Sequence, residues 1–214
     1  MNKKVSQSVI NRLPRYYRYL TEIENSGVER VSSKELSEKM NVTASQIRQD
    51  LNCFGGFGQQ GYGYNVKFLK SSIEKILGLD RGYTAILVGV GHMGRTFAIN
   101  TKFESRGFKL IAMFDSDPKK FGMSVGKHTV MPYSDVGKFI SENNPKMAIL
   151  AVPKSASSDV AKELIGYGIK AFLNFSYTEL SALDDEVTVE NVHLSDSLMR
   201  LSYKLVEKEN SDGE

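Results

Sequence analysis

The sequence predicts an α/β protein with three parts: a small helical domain over residues 1–80, a parallel-sheet domain over residues 81–192, and a C-terminal helix with an acidic tail over residues 193–214. Three observations support this prediction. Before the stretch LGLDRGY, apolar residues recur at helical spacing; after it, apolar strands alternate with helices around a glycine loop. Near the C-terminus, leucines recur every three or four residues.

Composition and charge are those of a globular protein with a buried core. Hydrophobic residues make up 41% of the 214 residues, and no apolar run approaches the roughly 18 residues of a membrane span. The single cysteine, Cys53, excludes an internal disulfide, and we expect it to be at least half-buried. Residues 1–80 carry a net charge of +4 and residues 81–214 of −1, which favours a polyanionic partner for the first domain. We expect a cytoplasmic protein without a membrane or metal partner.

The first element is predicted as an amphipathic helix over roughly residues 6–26. Pro14 lies inside its pattern, so we expect the helix to begin near this proline or to kink there. The apolar positions that define its buried face are Val9, Ile10, Leu13, Tyr17, Leu20 and Ile23.

The stretch VSSKELSEKMNVTASQIRQDLNCF predicts two short helices joined by a tight turn at Met40–Val42. Ser32 with Glu35 has the spacing of a capping box, and Thr43 with Gln46 has the spacing of a second one. Two helices separated by so short a turn indicate a helix-turn-helix.

The second of these helices has one apolar stripe and one polar face. The stripe consists of Ala44, Ile47, Leu51 and Phe54. The predicted outward, DNA-contacting residues are Ser45, Gln46, Arg48 and Gln49. Arg and Gln are suited to bidentate contacts with base edges in a major groove, so this face favours a double-stranded DNA partner. A generic antiparallel helix pair is the alternative.

A glycine-rich stretch with aromatic residues follows, FGGFGQQGYGYNV. Glycine allows tight turns and aromatic residues favour strands, so we predict a hairpin, the wing of a winged helix, rather than a flexible linker. The wing residues predicted to reach DNA are Phe57, Gln59, Gln60 and Tyr62. A helix over residues 65–79 then closes the domain.

The second domain begins with the apolar strand YTAILVG and the glycine spacing of Gly89, Gly91 and Gly94. This spacing allows the backbone to approach a dinucleotide pyrophosphate closely. A helix over about residues 92–105 and the strand KLIAMFD follow, and Asp115 ends that strand. Asp115 is placed to accept hydrogen bonds from a ribose and to repel a 2′-phosphate, which favours NAD over NADP.

Further β-α-β units complete a Rossmann-like sheet, with MAILAVP, a helix over 155–167 and KAFLNFS. The predicted cofactor-binding residues are Gly89, Val90, Gly91, His92, Met93, Gly94, Asp115, Val152 and Pro153.

The chain has no evident catalytic residues. Only 39 residues follow the last predicted strand, near Phe175, too few for the substrate domain of a dehydrogenase. His92 lies in the glycine loop, His128 on a predicted surface turn and His193 before the last helix, and they form no acid–base constellation. We therefore expect NAD or NADH to be a bound effector that is not turned over, with a Rossmann oxidoreductase as the alternative.

The last helix, over about residues 194–209, carries an apolar seam. Leu194, Leu198, Leu201 and Leu205 are separated by steps of 4, 3 and 4. Packing on its own sheet is one possibility. Packing on a second copy is favoured, because a two-fold homodimer matches paired DNA half-sites.

The ordered set of these motifs resembles the bacterial Rex family of redox-sensing transcriptional repressors. The likeness is collinear from the first helix to about residue 203 and includes SSKELSEKMNVTASQIRQDLNCFG, GQQGYGYNV, ILGLDRGYTAILVGVGHMGR, FDSDPKK, AILAVP, GIKAFLNFS and VENV…LMRLSY. The resemblance implies a homodimer whose C-terminal helix is swapped onto the partner. It also implies repression of energy and fermentation genes when NADH is scarce, and release of operator DNA when NADH binds.

The chain departs from the family pattern at residues that the resemblance links to redox coupling and dimer contacts. The family has an Asp-Phe pair at the start of the last helix, where this chain has His193 and Leu194. A family tyrosine is replaced by Asn100, whereas a family arginine on the first helix is retained as Arg18. A weak or altered redox response, or a response to another ligand, is therefore the alternative function.

The predicted DNA-reading elements also depart from the family. QIRQDL stands where the family has QVRKDL, and Gln59 or Gln60 stands where the wing has Lys or Arg. The loss of two cations predicts weaker attraction to phosphates.

Overall fold

The computed structural model describes residues 5–59, 62–99, 101–180 and 183–211. The chain divides into two compact units, Met1–Arg81 and Gly82–Glu214. In the described part of the chain, no helix is long and apolar enough to cross a membrane. No group of three or more His, Cys, Asp or Glu residues among those described could hold a metal ion.

The first unit is a winged helix-turn-helix. Its helices are α1 (Gln7–Asn25), α2 (Ser33–Met40), α3 (Ala44–Asn52) and α4 (Val66–Ile76). Its strands are β1 (Arg30–Val31), β2 (Gly58–Gln59) and β3 (Gly63–Asn65). The strands pair antiparallel in the order β1-β3-β2, so β2 and β3 form the predicted wing directly after α3. The helices enclose one apolar core that includes Leu20, Leu36, Ile47, Leu69 and Ile73.

Helix α1 runs without interruption through Pro14, so the expectation that it begins near the proline is wrong. Pro14 removes one backbone hydrogen bond. Buried side chains on both sides of it, among them Val9, Leu13 and Tyr17, keep the helix on the core. Tyr16, which the apolar pattern did not include, is also fully buried.

The two predicted capping boxes differ in the structure. The first is confirmed: the backbone N–H of Glu35 donates to Ser32 Oγ at 3.1 Å, and that of Ser32 donates to Glu35 Oε2 at 2.7 Å. The second is only half formed. The backbone N–H of Gln46 donates to Thr43 Oγ1, but the Gln46 side chain donates to Asp50 instead of accepting from the cap.

The second unit is a Rossmann-like sheet with helices. Its strands are β4 (Tyr83–Val88), β5 (Phe108–Asp115), β6 (Ser124–Val125), β7 (His128–Pro132), β8 (Met147–Leu150), β9 (Ala171–Asn174) and β10 (Thr188–Asn191). Its helices are α5 (His92–Ile99), α6 (Val136–Asn143), α7 (Lys154–Gly166) and α8 (Leu194–Ser211). The strand order is β10-β9-β8-β4-β5-β7-β6, parallel except for the pairing of β6 with β7. Later strands therefore lie on both sides of β4, which creates a switch point at the carboxyl end of β4.

Each face of this sheet has its own apolar core. On one face, Ile86 and Phe114 pack with Ile140 of α6 and Leu164 of α7. On the other face, Leu87, Met113 and Ile149 form a smaller core with residues of α5. Neighbouring residues of β4 such as Ile86 and Leu87 belong to different cores, on opposite faces of the sheet. Burial of both faces therefore explains why this central strand is apolar throughout.

Several sequence expectations are corrected by this unit. The helix predicted over 92–105 ends as an α-helix at Ile99, and a 3₁₀ segment occupies Thr101–Arg106. Phe175 does not follow the last strand, since β10 adds a further parallel strand beside β9. His128 is half-buried at the start of β7 rather than on a surface turn, because β6 and β7 form a hairpin there.

Cys53 corrects one expectation in the first unit. It caps the end of α3, beyond the last buried turn, and is exposed rather than at least half-buried.

Candidate functional site

The glycine loop lies at the carboxyl end of β4, at the switch point of the sheet. Gly89 has a φ of 95°, and a Cβ there would collide with the carbonyl group of Ala151. A Cβ at Gly94 would collide with the carbonyl oxygen of Gly89. A Cβ at Gly91 would meet nothing within 4 Å. The first and third glycines are thus required by the protein's own packing, while the space beside Gly91 is open to a ligand.

Asp115 ends β5 beside this loop and is nearly fully buried. Its Oδ2 accepts from the backbone N–H of Val90 at 2.7 Å and from Lys120 Nζ at 2.9 Å; its Oδ1 accepts from the backbone N–H of Asp117. Burial opposes ionisation, but the hydrogen bond from Lys120 and those from the backbone lower the pKa of Asp115 below its ordinary value. Asp115 is therefore an anion at neutral pH with a cation beside it, which weakens the repulsion expected against a 2′-phosphate.

The remaining predicted cofactor residues surround the loop. Val90 lies within the loop, and its side chain is fully buried, so only its backbone is available to a ligand. His92 and Met93 are exposed at the start of α5, and His92 is its first residue rather than part of the loop. A Cβ at Gly89 would also meet a methyl of Val152, which places the end of β8 beside the loop, with Pro153 exposed next to it.

Arg95 is a residue that sequence reasoning missed. It is exposed one turn into α5, and its Nε donates to the carbonyl oxygen of Val90 at 3.3 Å. Its position three residues after His92 on the helix that follows the loop was the available signal. A guanidinium there suits a phosphate group.

A buried polar cluster shapes the segment that follows β9. The Asn174 amide donates to the carbonyl oxygen of Thr178 at 2.7 Å and to Asn191 Oδ1 at 2.8 Å. The backbone N–H of Ser176 donates to Asn174 Oδ1, and the Ser176 and Ser157 hydroxyls lie 2.7 Å apart. These bonds tie the ends of β9 and β10 to α7. They hold the intervening residue, Tyr177, at the same edge of the sheet as the glycine loop.

The outward face of α3 is smaller than predicted. Ser45, Arg48 and Gln49 are exposed, as expected. Gln46 is only half-exposed, and its amide donates to Asp50 Oδ1 at 2.8 Å, so the prediction that it points outward is wrong. Arg48 donates to Ser33 Oγ at 3.0 Å, which holds its guanidinium along the start of α2.

Asp50 is the centre of a buried network that the sequence did not predict. Its carboxylate is fully buried and accepts from Arg12 Nε at 2.6 Å, Arg12 Nη2 at 2.8 Å, Tyr16 Oη at 2.6 Å and Gln46. Burial opposes its ionisation, but the hydrogen bonds from Arg12, Tyr16 and Gln46 lower the pKa of Asp50. The network fixes α3 against α1. Its available signal was an aspartate next to the inward-facing Leu51.

The wing carries one exposed aromatic residue with a cation beside it. Tyr62 is 69% exposed; Arg30 donates to its carbonyl oxygen and lies 6.0 Å from its ring centroid. Phe57 instead packs against the core and lies near Phe68, so it offers less surface than predicted. Gln59 belongs to β2, and Gln60 lies outside the described residues. Arg30 is a wing cation that sequence reasoning missed.

The residues linked to redox coupling are found on several elements. Arg18 is exposed on α1, and Asn100 lies outside the described residues. His193 directly precedes α8, and its ring stacks on that of Tyr177. Leu194 is the first residue of α8 and is 55% exposed.

Two family models match the chain. One, described as "Putative DNA-binding protein N-terminus", matches residues 4–52, and one described as "CoA binding domain" matches residues 80–178. The first range holds α1 to α3, and the second runs from the start of β4 past the end of β9.

Curated and solved proteins match nearly the whole chain. The redox-sensing transcriptional repressor Rex of Thermoanaerobacter pseudethanolicus is 53% identical over 206 residues, covering 96% of this chain and 92% of its own.

Two crystal structures of RSP give the same picture. RSP in complex with beta-NAD+ and operator DNA aligns with a TM-score of 0.90 at 50% identity, covering 99% of this chain and 97% of its own. RSP in complex with beta-NADH aligns with a TM-score of 0.89 at 47% identity, covering 99% of both chains. With this identity over almost its entire length, the chain belongs to the Rex family of redox-sensing transcriptional repressors.

Proposed function

We propose that the chain is a transcriptional repressor that binds a double-stranded DNA operator through its first unit, and that NAD or NADH bound in its second unit controls this binding. The observation that carries the proposal is the likeness to RSP, which was crystallised with both beta-NAD+ and operator DNA. The relatives are named as repressors, so the nucleotide is an effector and the oxidoreductase alternative is wrong. Operator binding implies action in the cytoplasm, where a bacterial chromosome lies.

The DNA-binding surface in this proposal consists of the exposed face of α3 and the wing. Ser45, Arg48 and Gln49 are exposed, so their side chains can enter a major groove, Arg48 by exchanging its bond to Ser33. Tyr62 and Arg30 present a ring and a cation at the wing, which suits a phosphate backbone or a minor groove. Gln46 holds α3 in place through Asp50 rather than reading a base.

The nucleotide site in this proposal is the glycine loop with its two flanks. The open space at Gly91 and the start of α5 suit the pyrophosphate, and Arg95 supplies a nearby cation. Asp115 and Lys120 lie at the end of β5, on the side where the adenosine ribose of a dinucleotide is held.

We propose a homodimer in which α8 is swapped onto the partner. No described residue of α8 is buried, and apolar side chains occupy two sides of the helix. One side carries Leu194, Leu198, Leu201 and Leu205, and the other carries Met199, Tyr203 and Val206. A helix with two apolar sides requires cover on both, which a second copy provides.

The apolar face of the sheet on the side of α5 is only partly filled. A cavity of about 470 Å³ lies there, lined by residues that include Phe97, Phe103, Leu110, Ile149 and Leu173. Its location on the same unit as α8 supports a dimer that buries both surfaces.

The experiment that tests the proposal is operator binding during separate titrations with NAD and NADH, measured by fluorescence anisotropy. We expect NADH to weaken DNA binding and NAD to preserve it. Gly91→Leu is the matched variant, because its side chain projects into open space and the fold is retained. It should bind DNA without responding to either nucleotide. Failure of the wild-type chain to bind operator DNA, with or without either nucleotide, would overturn the proposal.

A second candidate is the same repressor with a weak or altered redox response. His193 and Leu194 favour it, because the resemblance gives their positions to a carboxylate and an aromatic ring. The same titration decides between the two: DNA affinity that responds equally to NAD and NADH, or to neither, supports this second candidate.

A further inference from the structure

Tyr177 and His193 form a stacked aromatic pair at the carboxyl edge of the second unit's sheet. Their ring centroids lie 5.0 Å apart, and the ring planes differ by 10°. Tyr177 follows β9, His193 follows β10, and these two strands are neighbours. Tyr177 is 51% exposed, so its ring offers surface beyond its contact with His193. The pair thus forms an aromatic surface at this edge of the sheet.

The backbone at Tyr177 is strained in a way that marks a site. Its φ is 59°, and it is the only residue other than glycine and asparagine with a positive φ in the described part of the chain. Residues with large side chains rarely adopt this conformation, and they keep it where the surroundings impose it, often at ligand sites. Here Asn174 and Ser176, with the carbonyl of Thr178, fix the segment on both sides of the tyrosine.

The other member of the pair has an unsatisfied atom. His193 Nε2 is buried and has no hydrogen-bond partner among the described residues. Its Nδ1 lies 3.7 Å from Asp196 Oδ2. Buried polar atoms in native proteins nearly always have a partner, and the described residues leave the hydrogen-bonding capacity of this nitrogen unused.

The strand order places this pair relative to a dinucleotide. In a doubly wound sheet a dinucleotide lies across the switch point, with its two halves over opposite sides of the first strand. Asp115 and Lys120 mark the adenosine side, at the end of β5. The other half therefore extends over the ends of β8 and β9, the side that carries Tyr177 and His193.

We propose that the Tyr177–His193 pair contacts the nicotinamide ring and discriminates between its oxidation states. This inference rests on the proposed function, since it assumes that the glycine loop holds NAD or NADH. The nicotinamide ring of NAD is planar and positively charged, whereas that of NADH is neutral. The negative face of a tyrosine ring attracts a cation, so the pair favours NAD. The chain thereby supplies an aromatic ring from the edge of its own sheet, whereas Leu194 has no ring to offer.

The test is to measure the affinity of the full-length protein for NAD, NADH and ADP-ribose by isothermal titration calorimetry. ADP-ribose carries the adenosine, pyrophosphate and second ribose but lacks the nicotinamide. Tyr177→Gly removes the ring and relaxes the positive φ, so it preserves the fold. Tyr177→Phe keeps the ring. Tyr167→Ala is the matched control, because Tyr167 is a comparably exposed tyrosine at the end of α7.

In Tyr177→Gly we expect NAD affinity to fall about fivefold, equivalent to about 1 kcal/mol, with a smaller loss for NADH and none for ADP-ribose. Tyr177→Phe and Tyr167→Ala should bind all three ligands as the wild type does. Unchanged NAD affinity in Tyr177→Gly, or an equal loss for ADP-ribose, would overturn this inference while the proposed function stands. Wild-type protein that binds none of the three ligands would overturn the proposed function and this inference with it.

Discussion

Arg12 and Asp50 form a two-pronged ion pair between the first helix of the chain and the helix that presents the candidate DNA-reading residues. Both carboxylate oxygens accept from the guanidinium, at 2.6 and 2.8 Å, and the carboxylate is fully buried. The Arg12 side chain remains 24% exposed. Such a pair matters less for its own net energy than for what its loss would leave behind, a buried charge without a partner.

Replacing Arg12 with methionine should therefore destabilise the first unit. Arg12→Met keeps much of the apolar length of the side chain but leaves the Asp50 anion without its cation, and we expect a loss of about 3 kcal/mol in the free energy of unfolding. Chemical denaturation followed by circular dichroism measures this. Arg18→Met is the control, because Arg18 is exposed on the same helix, and a change of about 0.5 kcal/mol or less is expected there. Equal losses in both variants would contradict the role given to the pair.

The stability of the protein should fall in acid because of Asp50 and Asp115. Both have folded-state pKa values below the ordinary 3.8, so folding favours their ionised forms. Their contribution is present above the unfolded-state pKa and is lost as the pH falls through the folded-state pKa, a decline that starts near pH 5. Denaturation curves between pH 7 and pH 3 measure the slope. Asp50→Asn should be less stable at pH 7 and should show a shallower decline below pH 5; an unaltered slope would count against this account.

Arg48 should contribute more to operator binding than Gln46. Arg48→Ala is expected to cost about 1–3 kcal/mol in operator binding if it reads a base, and to lower affinity for the operator more than for random DNA. Lys138→Ala is a control for charge, because Lys138 is a highly exposed cation on α6 of the second unit. Gln46→Ala should mainly lower stability, through the lost bond to Asp50. Competition binding with operator and random duplexes at fixed salt separates these effects.

A charge in the leucine seam of α8 should prevent dimer formation. Leu198→Glu places a carboxylate where the proposed dimer buries an apolar residue, so sedimentation should detect monomer at concentrations where the wild type is dimeric. Lys204→Glu is the control, because it changes charge on the same helix away from both apolar sides. A dimer that survives Leu198→Glu would place the subunit contact elsewhere.

The effect of His193 and Leu194 on the redox response can be tested by restoring the two family residues. The double variant His193→Asp, Leu194→Phe should enlarge the difference between the effects of NADH and NAD on operator affinity. It restores the carboxylate and the aromatic ring that the resemblance gives to these two positions. Fluorescence anisotropy with a labelled operator measures both effects. A double variant that responds as the wild type does would show that His193 and Leu194 do not set the size of the redox response.

The features that sequence predicted well are those with local physical causes. The spacing of Gly89, Gly91 and Gly94 reflects backbone contacts within one turn, and the cap at Ser32 joins residues three positions apart. The apolar run of β4 follows from burial of both sheet faces. Such features depend on near neighbours, so a single sequence contains them.

The features that sequence missed join residues distant along the chain. Arg12 and Asp50 are 38 positions apart, and an aspartate beside an apolar stripe gives no indication of its partner. Tyr177 and His193 meet only because β9 and β10 are neighbours, and β10 was not predicted. Cys53 was expected to be at least half-buried from its neighbours, but the end of α3 turns it outward. These features are set by the tertiary fold rather than by the local sequence pattern.

The network around Asp50 limits how a signal can act on the DNA-reading helix. Three of the four hydrogen bonds to this carboxylate come from Arg12 and Tyr16 of α1, so reorienting α3 against α1 would break all three at high cost. The position of α3 against α1 is therefore fixed by contacts within the first unit. In the proposed dimer, nucleotide binding can then act by changing the distance between the two copies of α3. That distance has to match the spacing of the two half-sites along the double helix.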